Sequence, residues 1–500
     1  VTRAVIAPGE RGSIVKTGRM LIDGAWAEAS GGAEYAVPNP ATEEIIGKAP
    51  DASVADVEKA IAAARRAFDE GPWPRSTPRE RARAIDRIAD GFERRKEELR
   101  AILVAETGAT YMTHEVQLDA PIQFMRNFAS LAESFAFDTM LPVRDAPPML
   151  GGGVISGVAY RQPVGVCALM PTWNFPVFLV AQKIGPALAT GCTMVMKPSP
   201  YGPLVNLMLA EIIAEADLPP GVVNIVTTQS VEASSALVTD PRIDKVSFTG
   251  SSATGKRIME MAAKTLKRVH LELGGKSVAM VLDGEDLDTV APQVAAPAYF
   301  HAGQGCALAT RVLVPRAAHD TLVQKMVDFV SIVSVGDPAD PATMLGPVIR
   351  PERRTAIEAY IESGKKEGAV LARGGGRPAG LSRGWFIEPT VFCDVPNDVR
   401  IAREEIFGPV VSVIPFRDDD EAVRIANDSP YGLGGAIYAR DTARAVALAR
   451  RLRTGAVWVN NGYNLLDAPF GGFKESGIGR EGGRWGLEEY TEIQHIGWRG

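Results

Sequence analysis

Beyond Val164 the chain alternates short apolar runs with longer segments of helical spacing. A first block predicts strands over residues 164–170, 193–197, 222–226 and 245–249, with helical segments around 178–190 and 204–216 between them. A second block opens at 277–282 and continues through 311–314, 410–414 and 456–459. Apolar strands interleaved with helices predict parallel sheets covered on their faces, and such sheets bind ligands beyond the carboxyl ends of their strands. The N-terminal third is helical instead. Val54, Val57, Ile61 and Phe68 recur at helical spacing. Thr77-Pro78-Arg79-Glu80 is a capping box with proline at the first helical position, and it opens an amphipathic helix expected to reach about Glu106. Residues 142–161 hold Pro147, Pro148 and three consecutive glycines, which favours a protruding hairpin over a linker. Gly374-Gly375-Gly376 reads as a turn.

Five hundred residues exceed one core, so two or three domains are expected, with a boundary near Gly274-Gly275. The composition is that of a globular protein, 46% apolar and 23% charged. A net charge of −6 gives no broad electrostatic reason to bind nucleic acid or an anionic membrane. No apolar run approaches the ~18 residues of a membrane span, and residues 1–23 show no signal-peptide core. Cys167, Cys192 and Cys393 sit in apolar strand patterns and read as buried small hydrophobes. No cysteine spacing suggests a metal site or a disulfide framework, and a reducing cytoplasm is the expected compartment.

Cys306 is framed differently. It follows Gly303-Gln304-Gly305 and precedes small residues, which leaves room for a substrate and for polar groups that favour the thiolate. Glu272 lies between Leu271 and Leu273 and precedes Gly274-Gly275. A carboxylate is costly to bury there unless it has a task. A thiol and a buried base together suggest covalent catalysis. Two motifs look like phosphate loops. Gly250-Ser251-Ser252-Ala253-Thr254-Gly255-Lys256 follows a strand and opens a helix, but Arg257 stands where a triphosphate loop needs Ser or Thr. Its glycine, Ser251 and the helix start would still put free amides beside a pyrophosphate. Gly477-Ile478-Gly479-Arg480-Glu481-Gly482 matches a dinucleotide fingerprint without the surrounding βαβ unit, and reads as a structural turn. His301, five residues before Cys306, invites a Cys–His hydrolase reading, against which local packing is favoured.

Together these motifs resemble the aldehyde dehydrogenase superfamily over nearly the whole chain. Asn39-Pro40-Ala41-Thr42, Trp173-Asn174-Phe175-Pro176, Lys197-Pro198-Ser199, Phe248-Thr249-Gly250-Ser251, Glu272-Leu273-Gly274-Gly275-Lys276, Gly303-Gln304-Gly305-Cys306, Glu405-Ile406-Phe407-Gly408-Pro409 and Pro469-Phe470-Gly471-Gly472 follow in that family's order. Taken singly, Asn174 reads as a turn cap, Lys197 as a solvated lysine and Glu405 as surface; the joint pattern raises them. The resemblance implies an α/β fold of two Rossmann-like parallel-sheet domains plus a small β oligomerisation arm. Residues 1–141 and 162–273 would form the cofactor domain, 274–488 the catalytic domain, and 142–161 with 489–500 the arm.

The resemblance also implies roles. Cys306 would attack the aldehyde, and Asn174 with the Cys306 amide would hold the oxyanion. Glu272 would activate water against the thioester, and Lys183 would support the site. NAD or NADP would lie on Trp173, Lys197, Ser199, Phe248, Gly250, Ser251, Gly255, Glu405 and Phe407. The aldehyde would meet Phe175, Phe178, Gln182, Tyr463, Leu465 and Phe470. A homodimer or homotetramer with no metal, nucleic-acid or membrane partner is implied. The chain also departs from the family pattern. Pro200 stands where NAD-preferring members carry an acidic residue, so NADP is expected to be accepted too. Gln182 replaces a tryptophan, and Leu308-Ala309 a more common Ala-Gly. No arginine is placed to hold a distal carboxylate, which favours a neutral, apolar aldehyde. A CoA-acylating relative, which would generally lack Glu272, a catalytically silent homologue and a thiol esterase remain as alternatives.

Overall fold

The computed structural model describes residues 16–462 and 465–500. Its first large sheet has eight strands in the order Gly477–Ile478, Arg268–Glu272, Lys245–Thr249, Val166–Met170, Thr193–Met196, Val223–Ile225, Met20–Ile22, Ala25–Ala27. The five internal strands from Arg268–Glu272 to Val223–Ile225 run parallel, as their apolar patterning predicts. Antiparallel strands close both sides. The edge strand Gly477–Ile478 comes from the far C-terminal region and pairs Gly477 with Glu272.

The second sheet has seven strands: Val370–Arg373, Thr390–Cys393, Val410–Phe416, Arg311–Pro315, Val278–Val281, Gly435–Tyr438 and Trp458–Val459. It is parallel except for Val370–Arg373. Its core gathers Met280, Leu313, Val413 and Ile437 with Leu322 and Ile357 from the covering helices.

The helix expected over 77–106 is two helices, Pro78–Arg94 and Lys96–Thr107. Arg95 leaves helical geometry (φ −105°, ψ 18°), and its guanidinium joins Glu98 and Glu211, each at 2.9 Å. The second helix thereby turns onto Pro203–Ala214. A π-helical turn, Glu115–Asp119, then leads into Ala120–Ser134, for which the sequence pattern gave no expectation. Ala120–Ser134 packs between Pro78–Arg94 and Pro176–Thr190, which is buried but for the half-buried Phe178.

Residues 142–161 do form a hairpin. Gly151, Gly152 and Gly153 turn it in the left-handed region (φ 86°, 66° and 91°) that only glycine adopts without strain. Its long strand Val154–Pro163 pairs along its length with Thr491–Arg499, and on the other side with Asp138–Met140. No helix among the described residues is long and apolar enough to cross a membrane.

Candidate active site

Cys306 is reached through an unusual turn. After the helix Leu287–Tyr299, His301 and Ala302 both hold positive φ, at 49° and 54°. Left-handed backbone costs a non-glycine residue roughly 1–2 kcal/mol, so something must hold it. Gln304, fully buried, supplies part of the restraint. Its Nε2 donates to the His301 carbonyl at 3.1 Å, and its Oε1 accepts from the Ile349 amide at 2.9 Å. Gly303 (φ 73°) is obligatory, because a Cβ there would lie 2.2 Å from the Gly408 backbone. The turn presents the half-buried Cys306 to a cavity of about 820 Å³ lined from both large sheets.

Asn174 lies two residues before the helix Pro176–Thr190 and is buried. Its Nδ2 donates to the Gln304 carbonyl at 2.9 Å, which ties it to the Cys306 turn and leaves its second N–H available. Gln117 holds it from behind through the Asn174 carbonyl. Glu272 ends its strand at the carboxyl edge of the first sheet, and its carbonyl accepts from the Gly250 amide at 3.0 Å. Gly250 therefore does not offer the free amide expected of it. Neither carboxylate oxygen of Glu272 has a hydrogen bond of ordinary geometry among the described residues, and the Gly472 amide favours its charged form only slightly. Burial, and then Glu481, push its pKa well above the ordinary carboxylate range.

Cys306 also departs from expectation. Burial, then Glu272 and Glu405, push its thiol up, so these surroundings keep the proton on sulfur. Beside Glu272 stands a polar cluster. Lys183, with no exposed surface, donates to Glu481 at 2.8 Å and to Ser247 at 3.0 Å, while Ser247 lies 3.3 Å from His270 Nδ1. Burial and the neighbouring cations Lys183 and Lys245 hold His270 neutral.

The cavity wall brings together Asn174, Glu272, Cys306, Trp173, Gly250, Ser251, Glu405, Phe407, Phe175, Phe178, Leu465 and Phe470. Trp173 meets Phe407 edge-on at 5.7 Å, and Phe178 meets Phe124 likewise at 5.3 Å. Ser251 caps the helix Ser252–Ala262 through the Thr254 amide. Glu405 accepts from the Gly275 amide at 3.0 Å, and burial raises its pKa to about 7. Other expected residues are not on this wall. Lys183 touches it only through its ion pair with Glu481, which is on it. Lys197, just past the strand Thr193–Met196, is buried, and burial lowers its ammonium to about 8. Ser199 caps the Tyr201 amide. Phe248 fills the space a Cβ on Gly250 would need, and Gly255 lets Leu273 pack against its helix. Gln182 is buried, with no protein donor to its Oε1 among the described residues. Tyr463 lies outside the described residues. His301 packs its ring near Trp173 and Phe175. Sequence reasoning missed Gln304 as a brace and Glu481 as the partner of Lys183. Glu481 lay inside the glycine motif read as a turn, whose backbone does turn through Gly479 and Gly482 (φ 89° and 83°). Among the described residues no cluster of His, Cys, Asp and Glu could hold a metal.

The sequence profile of the aldehyde dehydrogenase family matches residues 26–496. Geranial dehydrogenase of Castellaniella defragrans is 41% identical over 95% of this chain and 98% of its own. The crystal structure of betaine aldehyde dehydrogenase from Staphylococcus aureus in complex with NAD+ superposes with a TM-score of 0.93, at 37% identity over 96% of this chain and 95% of that one. A variant of aldehyde dehydrogenase C from Pseudomonas syringae, complexed with NAD+ and octanal, gives 0.91 at 38% identity over 97% of both. The chain belongs to the aldehyde dehydrogenase family.

Proposed function

We propose that this protein oxidises a neutral, apolar aldehyde to its carboxylic acid with NAD+ or NADP+, through a thioester on Cys306. One observation carries the reading: Cys306, Glu272 and an Asn174 tied to the Cys306 turn share one cavity wall. The Cys306 sulfur attacks the aldehyde carbon, and its proton leaves to a base. The free N–H of Asn174 and the Cys306 amide receive the oxyanion, where one donor is worth roughly 3 kcal/mol. Glu272 takes a proton from the water that cleaves the thioester, and the acid departs. Lys183 and Glu481, adjoining Glu272, offer that proton a place to go.

The cleft suits a dinucleotide. A capped helix N-terminus at Ser251 favours a pyrophosphate, Trp173 and Phe407 offer apolar faces, and Glu405 offers a ribose acceptor. When bound, the oxidised nicotinamide supplies a hydride acceptor and a positive charge that would favour the thiolate. Residues 162–273 with the N-terminal segment would bind it, and 274–488 would carry the nucleophile. The aromatic wall of Phe124, Phe175, Phe178 and Phe470 supports an apolar substrate, as does octanal in the Pseudomonas syringae structure.

The test is reduced-nicotinamide absorbance with aliphatic and aromatic aldehydes and no CoA. Turnover lost in Cys306→Ala is expected. A CoA requirement, or nucleotide-independent thioester cleavage alone, overturns the reading. Because Pro200 cannot repel a 2′-phosphate, similar kcat/KM for both coenzymes is expected; about a thousandfold preference for NAD+ would contradict it.

A further inference from the structure

Immediately after Gly274-Gly275 the chain buries a lysine. Lys276 is 2% exposed, and its Nζ meets no protein acceptor among the described residues. Glu405 and Glu404 act on it only through space, and Glu405 already bonds the Gly275 amide. A cavity of about 20 Å³, separate from the large one, adjoins it. Thr454 lines the same cavity, and its Oγ1 is also buried without a protein partner among the described residues.

The wall is charged in one sense. Lys276, Arg311 and Arg453 line it, and no Asp or Glu does. Arg311 is buried and spends its donors on neutral oxygens: the carbonyls of Lys276, Ile425 and Ala426 and the side-chain oxygen of Asn397. Those bonds satisfy its geometry, and Asp428 offsets its charge only through space. Arg453 is exposed, at the mouth. An ammonium removed from water without a bonded counter-charge is strongly disfavoured. It therefore either gives up its proton or holds an anion. Burial, and then the Arg311 charge, bring Lys276 down to about 7 against the pull of Glu405 and Glu404, so little is needed to favour the second outcome. A cavity of this size takes about one water-sized species, too little for a phosphate or an organic acid.

We propose that this cavity is a binding site for one halide-sized monovalent anion, chloride in the first instance, held by Lys276 Nζ and Thr454 Oγ1 in the field of Arg311 and Arg453. The Leu433 segment forms part of the wall. A Cβ on Gly275 would lie 3.3 Å from the Leu433 Cβ and 2.3 Å from the Cys306 carbonyl. The ion would thus sit behind the strip that backs the nucleophile, and its occupancy is expected to be read out in stability.

Crystals of the full chain soaked in sodium bromide should give an anomalous peak within hydrogen-bond reach of Lys276 Nζ and Thr454 Oγ1. In solution, the melting temperature should rise with chloride or bromide at constant ionic strength, against gluconate, which is too large to enter. Lys276→Met should weaken the apparent halide affinity at least about ten-fold. Thr454→Val, a milder change, should weaken it less and decides the matter if Lys276→Met does not fold. A density feature with no anomalous signal would identify water and overturn the proposal. So would identical melting in bromide and gluconate, or a halide response that survives both substitutions.

Discussion

Cys306 and Glu272 both sit where burial opposes their charged forms. The carboxylate of Glu272 exists only above its raised pKa, so the step it serves gains as pH rises. Glu272→Gln should leave acyl-enzyme formation intact, seen as a burst of reduced nicotinamide, while steady turnover falls by about 10²–10⁴. Loss of the burst as well would assign Glu272 to the first step. Glu405 gives a numbered window. With a pKa near 7, it is mostly protonated at pH 6 and mostly ionised at pH 8. If its carboxylate accepts a ribose hydroxyl, coenzyme affinity should rise roughly ten-fold from pH 6 to 8. Glu405→Gln should bind weakly and flatten that profile; a Gln variant with the wild-type slope would place the titration elsewhere. Cys306 and Glu272 stood out in the sequence because their neighbours are small or apolar, and the structure puts both on one cavity wall. Glu481 was not: only the return of Gly477–Ile478 to the first sheet brings it to Lys183, nearly three hundred positions earlier in the chain.

The strands themselves follow their apolar runs closely, since a buried parallel strand needs both faces covered. Two carry more than that. Lys245–Thr249 and Arg268–Glu272 pair in register, Lys245 with Arg268, Ser247 with His270, Thr249 with Glu272. Val246 and Leu271, on the opposite face, join an apolar core. The alternation would suit a sheet with one wet face, yet Lys245, Ser247, His270 and Glu272 are buried. Lys183, Glu481, Glu489 and the Lys245–Glu489 ion pair at 3.1 Å cover them. The break at Arg95 was illegible for the opposite reason. Glu93 to Glu98 are all good helix formers, and only the tertiary pull of Glu211 marks the corner. A buried carboxylate also fixes the next helix. Glu106 accepts from the Leu204 and Val205 amides at 2.6 and 2.9 Å, at the start of Pro203–Ala214. Glu106→Ala leaves both donors unmet, so a loss of about 2–4 kcal/mol is expected in urea unfolding. A loss under about 0.5 kcal/mol would mean that water replaces the carboxylate there.

At the scale of the molecule, the small sheet is the part whose form the chain alone does not justify. Thr491–Arg499 pairs with Val154–Pro163 on one side, and its outer edge has no partner strand among the described residues. Met140, Ile493, Ile496 and Trp498 are 64%, 63%, 45% and 46% exposed. A nine-residue open edge carrying large apolar side chains has the character of an association surface, because unpaired amides and carbonyls are a template for another strand. A small sheet wet on both faces also gains little from its own burial. A second copy of this chain is the occupant that the arm reading predicts, as a homodimer or a tetramer built from it. Ile496→Glu with Trp498→Glu keeps the backbone pairing to Val154–Pro163 and removes the apolar contacts. Light scattering on the sized protein should then show the mass fall toward that of one chain, with the far-ultraviolet spectrum unchanged. Because Cys306, Glu272 and the cleft lie within one chain, some aldehyde turnover should survive separation, with a lower melting temperature. An unchanged mass would move the contact away from the arm and leave its exposed row without a partner of this kind.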